Sequence, residues 1–156
     1  MTNRGFFEIG IYHPQKECNW GTLMRSAYQL GASGAVLIGR KFDHQSGDTC
    51  KSFRHMPIRS YDNWDHFLVN RPHGAELVAV ESPDYGGKYL GKFEHPERAI
   101  YLLGNENSGL PTSVVEQCQH VVSIESVRTY SLSVSVARGT VPADISLCDR
   151  LVRAGL

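Results

Sequence analysis

The sequence predicts an α/β domain with a mostly parallel sheet that is flanked by helices. Two observations carry this prediction: short strands that are apolar on both faces, and helical patterns that alternate with them along the chain. The length of 156 residues suits one domain, and 41% hydrophobic with 21% charged residues is ordinary for a chain that buries a core. We therefore expect a single domain over residues 1–156, without repeats or linkers.

The first third of the chain predicts a strand, a helix and a second strand. Residues 6–12 are rich in β-branched and aromatic side chains and stop before Pro14, which is typical of a strand. Residues 19–30 carry apolar side chains at helical spacing, and Gly31 is a residue that can end a helix. Residues 35–38 form a short apolar run between glycines, which predicts the second strand.

The middle of the chain is less regular. Residues 39–59 are polar and have no clear period, so they predict a loop or a short helix. Residues 60–70 predict a second helix, with Ser60 or Asp62 as its N-cap and Arg71-Pro72 as its end.

The second half predicts three more strands and a short helix. Apolar runs at 77–80, 99–103 and 121–124 are typical of buried strands. Residues 111–117 predict a short helix because a proline fits its first turn. From Ser131 the pattern is apolar but includes a proline.

Charge and composition exclude several classes of protein. Lys plus Arg equals Asp plus Glu, at 16 each, which excludes a strongly basic nucleic-acid-binding protein but not a local basic patch. No apolar run approaches the roughly 20 residues of a membrane span, and the first residues lack a signal peptide's apolar stretch, so we expect a soluble cytoplasmic protein. The cysteines and histidines lack zinc-ligand spacing, so we expect no metal and four reduced, mostly buried thiols: Cys18, Cys50, Cys118 and Cys148.

Three turns that follow apolar strands are candidates for binding a ligand. The first is Asn19-x-Gly21-x-x-x-Arg25, the second runs from Leu103-Gly104 through Glu106 to Gly109-Leu110, and the third runs from Ile124 to Ser131-Leu132-Ser133. Taken singly, each also fits a plain helix start or a tight turn. The second lacks the Gly-Lys-Ser/Thr of a phosphate-binding loop.

Together, in this order and spacing, the three turns resemble the motifs of the SpoU/TrmH branch of the SPOUT methyltransferases. The first two match at every fixed position, and the resemblance spans about residues 6–137. The length is similar to that of the minimal single-domain, TrmL/YibK-like members. The resemblance implies a trefoil-knotted fold, with residues 124–156 forming the knot and a dimer helix, and a homodimer that methylates ribose 2′-hydroxyls of RNA.

The resemblance also implies that S-adenosylmethionine (SAM) is the cofactor and S-adenosylhomocysteine the product. Such a cofactor needs an apolar slot with a few backbone hydrogen bonds, and strand ends rich in Val, Leu, Ile and Gly supply one. By position in the motifs, the predicted cofactor-binding residues are Val80, Glu81, Leu103, Gly104, Gly109, Ile124, Ser131 and Leu132.

Arg25 is the residue that the family pattern offers for catalysis. A guanidinium is a poor base at neutral pH because its pKa lies above about 12. We therefore expect Arg25 to orient the ribose–phosphate and to stabilise the developing alkoxide. Glu106 either orients Arg25 or accepts hydrogen bonds from loop amides, and Asn19 is expected to support the Arg25 loop.

Three positions depart from the family pattern. Ser133 replaces the usual Asn, Glu125 replaces the usual Pro, and Pro142 interrupts the C-terminal helix. A proline in a helix interior costs about 3 kcal/mol. We therefore expect the C-terminal helix to be split near 139–143 or displaced.

A basic stretch is the predicted RNA contact, because phosphate binding in a neutral chain requires clustered cations. The expected RNA-binding residues are Arg40, Lys41, Lys51, Arg54 and His55, with Arg59 in the same stretch and Arg128 beside the third motif. Tyr130, next to Arg128, either stacks on a base or packs within the protein. Trp20 and Trp64 are expected in the core.

The leading hypothesis is a SAM-dependent RNA 2′-O-methyltransferase with tRNA as its substrate, and rRNA is the alternative substrate. A second hypothesis is a related RNA- or cofactor-binding module without catalysis, which the altered third motif favours. A third is a generic α/β nucleotide-binding domain, and the lack of a phosphate-binding glycine loop counts against it.

Overall fold

The computed structural model describes residues 5–15, 17–43, 48–105 and 107–124, and for residues 17–19 it describes the backbone alone. The strands are β1 (Phe6–Tyr12), β2 (Gly34–Ile38), β3 (Ile58–Tyr61), β4 (Glu76–Val80), β5 (Lys88–Tyr89), β6 (Arg98–Leu103) and β7 (His120–Ser123). The helices are α1 (Glu17–Gln29), α2 (Trp64–Asn70) and α3 (Thr112–Val115), with short 3₁₀ turns at Ser52–Arg54, Pro83–Tyr85 and Leu90–Lys92.

The strands form one sheet in the order β3-β2-β1-β6-β4-β7-β5, and every pairing between these strands is parallel. The predicted mostly parallel α/β sheet is confirmed. The chain leaves β1 toward β2 but leaves β6 toward β7, in opposite directions along the sheet. Open α/β sheets bind ligands at such a switch point, beyond the carboxyl ends of the strands.

Each face of the sheet is covered by helices because the strands are apolar on both sides. On one face, Ile9 and Ile11 of β1 pack with Leu23 and Met24 of α1. The opposite face packs against α2 and α3. Trp20 lies in the first cluster at 3% exposure and Trp64 in the second at 8%, which confirms both as core residues.

The predicted start of the second helix is wrong. Ser60 belongs to β3, where it pairs with Leu37 of β2, so neither it nor Asp62 caps the helix. The helix begins at Trp64, and its N-cap is Asn63, whose side chain accepts a hydrogen bond from the His66 amide at 2.8 Å. Strand β3 is largely polar and has little apolar alternation, so the sequence pattern assigned its last residues to the helix that follows.

The other elements agree with the sequence to within a few residues. The first helix starts two residues before its expected position, and α3 is shorter than expected. Two strands at the edges of the sheet were not predicted: β3, whose residues were assigned to a loop or short helix and to the second helix, and the two-residue β5. The predicted knot, dimer helix and helix break at Pro142 lie outside the described residues. None of the described helices has the length and apolar character that a membrane crossing requires.

Candidate functional site

The predicted cofactor loops follow three neighbouring strands. Val80, the last residue of β4, pairs with Leu103 at the end of β6 and with Val122 of β7. Ile124 directly follows β7 and packs against the core. The sheet therefore brings the ends of three chain segments that are far apart in sequence to one edge.

The loop after β6 is built with no space for a side chain at its first residue. A Cβ atom on Gly104 would overlap the carbonyl carbon of Gly109 and the amide nitrogen of Leu110, both of them backbone atoms. Gly109 has a φ of +67°, in the left-handed region that favours glycine. Both glycines of the second motif are thus required by the local backbone, whatever the loop binds.

Asn105 closes this loop with its side chain. Its Oδ1 accepts hydrogen bonds from the amides of Asn107 at 2.9 Å and Ser108 at 2.8 Å. Its carbonyl oxygen accepts from the amide of Gly109 at 3.2 Å. Such a side chain–backbone turn is a known use of asparagine, and the Asn–x–x–Ser–Gly sequence is the signal that would have predicted it.

Glu81 ties the end of β4 to the same loop. Its Oε1 accepts a hydrogen bond from the Leu110 amide at 2.5 Å, and its Oε2 accepts from the Ser82 amide at 3.3 Å. Burial raises the pKa of this carboxyl above its ordinary value of 4.5, while the two amide hydrogen bonds act in the opposite direction. The structure thus gives Glu81 a role in shaping the loop, and direct contact with a cofactor stays a prediction.

Arg25 lies exposed on α1, and a loop packs along the same side of this helix. We name residues 48–55 the basic loop. Among the described side chains, three polar or ring contacts link it to α1: Arg25 Nη1 donates to Thr49 Oγ1 at 3.3 Å, Gln29 Nε2 donates to Cys50 Sγ at 3.6 Å, and the rings of Tyr28 and His55 stack at 5.4 Å. Positions 25, 28 and 29 share one face of a helix. The basic loop therefore covers one continuous stripe of α1.

A buried carboxylate at the start of the basic loop closes the turn of this loop. Asp48 is 4% exposed, and its Oδ1 accepts from the Ser52 amide at 3.1 Å. Lys51 has a φ of 49°, a left-handed conformation that is uncommon outside glycine. The turn directs Lys51, Arg54 and His55 to exposed positions.

The structure thus brings part of the predicted RNA-binding set to the helix that carries the predicted catalytic arginine. Lys51, Arg54 and His55 share the basic loop that contacts α1. Lys41 and Arg40 precede the basic loop in the chain. Lys41 is exposed, whereas Arg40 is half-buried and its Nη1 donates to the carbonyl of Pro14 at 3.4 Å.

Arg59 does not belong to this surface. It forms an ion pair with Glu8, a β1 carboxylate that is 3% exposed. A buried carboxylate needs a partner charge, and Arg59 on β3 supplies it from across β2, the strand that lies between β3 and β1. The sequence placed Arg59 with the basic stretch because the partner, 51 residues away, leaves no local signal.

Several predicted site residues lie outside the described part of the chain. They are Glu106, Ser131, Leu132, Arg128 and the side chain of Asn19, together with Tyr130 and the departures at Glu125 and Ser133. Their roles stay predictions. Thr49 was missed by the sequence reading because its contact with Arg25 depends on tertiary packing across 24 residues.

No group of three or more possible metal ligands occurs among the described residues. Two of the four cysteines have described side chains: Cys50 and Cys118 are free thiols and are half-buried. Burial raises the pKa of Cys118 to about 12, so this thiol stays protonated at neutral pH, and its Sγ donates to the Val114 carbonyl at 3.3 Å.

The family model described as the SpoU rRNA Methylase family matches residues 7–141. The chain belongs to this family. The match spans the sheet, α1, the basic loop and the predicted cofactor loops, and it confirms the resemblance that the three motifs carried. The parallel sheet of this chain is therefore the sheet of a SpoU-type fold.

Two curated relatives and one solved structure illustrate the relationship. The mouse tRNA (guanosine(18)-2′-O)-methyltransferase TARBP1 is 25% identical over 132 residues, which cover 78% of this chain and 8% of that protein. The 23S rRNA (uridine(2479)-2′-O)-methyltransferase of Streptomyces viridochromogenes is 26% identical over 127 residues, covering 76% and 44%. The crystal structure of an AdoMet-bound rRNA methyltransferase from Sinorhizobium meliloti has a TM-score of 0.79 and 26% identity, covering 91% of this chain and 56% of that one. The chain spans less than half the length of the two curated relatives.

Proposed function

We propose that this SpoU-family chain is a SAM-dependent RNA ribose 2′-O-methyltransferase. The observation that carries the proposal is the packing of the basic loop, which has exposed Lys51 and Arg54, against α1, the helix that carries the exposed Arg25. Family membership supports the reaction, and relatives named as tRNA and rRNA 2′-O-methyltransferases support an RNA substrate.

The strand ends at the cofactor edge fit SAM. Val80, Leu103 and Ile124 offer apolar side chains there. Ser123 is fully buried, and its hydroxyl has no hydrogen-bond partner among the described residues. An apolar slot with a few polar groups is what an adenosine moiety needs. SAM would supply a methyl group on a sulfonium, which is already a good leaving group.

The residues of this chain would therefore do positioning rather than bond-breaking chemistry. A basic loop holds the RNA backbone near the reacting ribose, since phosphate contacts fix position without reading sequence. Arg25 would then orient the ribose–phosphate and stabilise negative charge on the 2′-oxygen as its proton passes to water, while the methyl group would move from the sulfonium to that oxygen and S-adenosylhomocysteine would be released.

Four finer features belong to this proposal. The first substrate is tRNA, with rRNA as the alternative. The chain acts as a homodimer, its C-terminal segment from residue 124 forms the trefoil knot and the dimer helix within one domain, and it works in the cytoplasm. Light scattering of the purified chain tests the dimer, which is expected at twice the 17.4 kDa mass.

The test of the reaction is transfer of radiolabelled methyl groups from SAM to separated tRNA and rRNA pools. We expect alkali-resistant label in one pool, because 2′-O-methylation blocks hydrolysis of the adjacent phosphodiester. Arg25→Ala is expected to lower the rate by about 10²- to 10³-fold, as for removal of one oxyanion-stabilising donor. SAM affinity and thermal stability should stay close to wild type, because Arg25 is exposed.

Lys92→Ala is the matched control, since Lys92 is also an exposed cation but lies in the excursion between β5 and β6. It should retain full activity. Absence of label in both pools with SAM binding intact would instead support the non-catalytic module. Label that is insensitive to Arg25→Ala would remove Arg25 from catalysis.

A further inference from the structure

We propose that Thr49 is a positioning residue that sets the orientation of the Arg25 guanidinium for methyl transfer; this inference rests on the proposed function. Arg25 Nη1 donates a hydrogen bond to Thr49 Oγ1 at 3.3 Å. Within the described residues, this hydroxyl is the polar partner that the structure gives to the guanidinium. A long exposed side chain samples many rotamers unless something selects one.

Thr49 is itself held firmly enough to select a rotamer. The carbonyl of Asp48 accepts from the Lys51 amide at 3.0 Å, and the Asp48 carboxylate accepts from the Ser52 amide at 3.1 Å. Asp48 and Ser52 are both buried, so the turn on either side of Thr49 is fixed to the core. Threonine is also β-branched, which restricts χ1 and hence the direction of its hydroxyl.

The other contacts of the basic loop allow the role of the hydroxyl to be isolated. The Tyr28–His55 stack and the Gln29–Cys50 contact fasten the loop to α1 independently of Thr49. Removal of the hydroxyl should therefore leave the loop docked and its cations exposed. Its effect should fall on Arg25 alone.

A positioning role for Thr49 predicts a particular kinetic effect. Positioning of a transition-state group affects kcat, whereas loss of a phosphate contact affects the KM for RNA. Because a guanidinium held in the reactive orientation has already lost its rotamer freedom, the barrier to methyl transfer is lower with the hydroxyl present.

Thr49→Val is the test, because valine keeps the shape and removes the hydroxyl. We expect kcat to fall about two- to tenfold, the range for one hydrogen bond, with the KM for RNA and the SAM affinity unchanged. Thr49→Ser restores the hydroxyl and should recover most of the rate. Thr112→Val, at an exposed threonine at the start of α3, is the matched control and should match wild type.

A second readout does not depend on turnover. In the full chain labelled with ¹⁵N-arginine, rotation of the Arg25 guanidinium about its Cζ–Nε bond should be slower in wild type and Thr49→Ser than in Thr49→Val. Equal rotation rates in all three proteins would overturn the proposal.

Two kinetic outcomes would also overturn it: equal kcat for Thr49→Val and wild type, or a raised KM for RNA with kcat unchanged. A wild-type chain that binds SAM and RNA but transfers no methyl group contradicts the proposed function instead, and the positioning role is lost with it. If the wild-type chain transfers methyl groups and Thr49→Val has the same kcat and KM, the proposed function stands and only the positioning role of Thr49 is contradicted.

Discussion

The loop after β6 and the basic loop are built in opposite ways. The first is fixed by backbone contacts. Gly104 lies so close to the backbone of Gly109 and Leu110 that a Cβ atom has no space, and Glu81 accepts a hydrogen bond from the Leu110 amide. The basic loop meets α1 through the ends of side chains, and the Arg25–Thr49 contact is exposed at 3.3 Å.

This difference matches the two tasks that the proposal assigns. A site for a small cofactor gains from a rigid shape, because ordering cost is avoided on binding. A surface for RNA needs cations that adjust to a flexible backbone, and phosphate contacts tolerate such adjustment. We therefore expect substitutions in the loop after β6 to affect folding and cofactor binding, and substitutions of the exposed cations of the basic loop to affect RNA binding.

Gly104→Ala should have the largest effect on stability. The new methyl group must displace the backbone at Gly109 and Leu110, which cannot rotate away as a side chain would. We expect the free energy of unfolding to fall by about 2–3 kcal/mol, as for overpacking in a dense site, and SAM affinity to fall with it. Urea unfolding and titration calorimetry measure the two effects.

Gly91→Ala is the control for Gly104→Ala, because nothing lies within 4 Å of a Cβ at Gly91. Its free energy of unfolding should stay within about 0.5 kcal/mol of wild type. If both alanine variants were equally stable, the β6 loop would not be the rigid element described above.

The double substitution Lys51→Ala, Arg54→Ala should weaken RNA binding without affecting stability. Both side chains are exposed, so their loss leaves the core intact. If each contacts one phosphate, the slope of log K against log salt falls by about 0.7 per contact for single-stranded RNA, or about 1.4 in total. Filter binding across a salt series measures the slope.

Lys88→Ala with Lys92→Ala removes the same charge from exposed positions at or near the edge strand β5. This pair should leave the slope of wild type unchanged. A slope that fell equally in both double variants would show that net charge, not the basic loop, determines RNA affinity.

The sequence predicted what is local and missed what is not. The turn residues Gly104 and Gly109 and the strand before them stand together in the chain, so their pattern was sufficient to place the loop. By contrast, the Arg25–Thr49 and Arg59–Glu8 pairs join residues 24 and 51 positions apart, and no local pattern encodes them. The start of α2 was misplaced for a related reason, since Ser60 is a strand residue only because Leu37 is its neighbour.

The smallest expected effect concerns the pH dependence of stability at Glu81. Burial raises the pKa of this carboxyl in the folded chain above 4.5 and outweighs the amide hydrogen bonds from Leu110 and Ser82. Between 4.5 and its raised pKa, the folded state therefore binds more protons than the unfolded state. Stability from this group is full below pH 4.5 and falls as the pH rises through the folded pKa.

Glu81→Gln removes this titration, so the stability of the variant relative to wild type should increase as the pH rises from 4 to 7. Urea unfolding at half-unit pH intervals measures this difference, with Gly91→Ala as the variant whose curve should stay parallel to wild type. If the stability of Glu81→Gln relative to wild type instead decreased with rising pH, the two amide hydrogen bonds would outweigh burial in setting the Glu81 pKa. The charged Glu81 carboxylate would then stabilise the loop after β6 through the Leu110 and Ser82 amides, in addition to the close packing at Gly104.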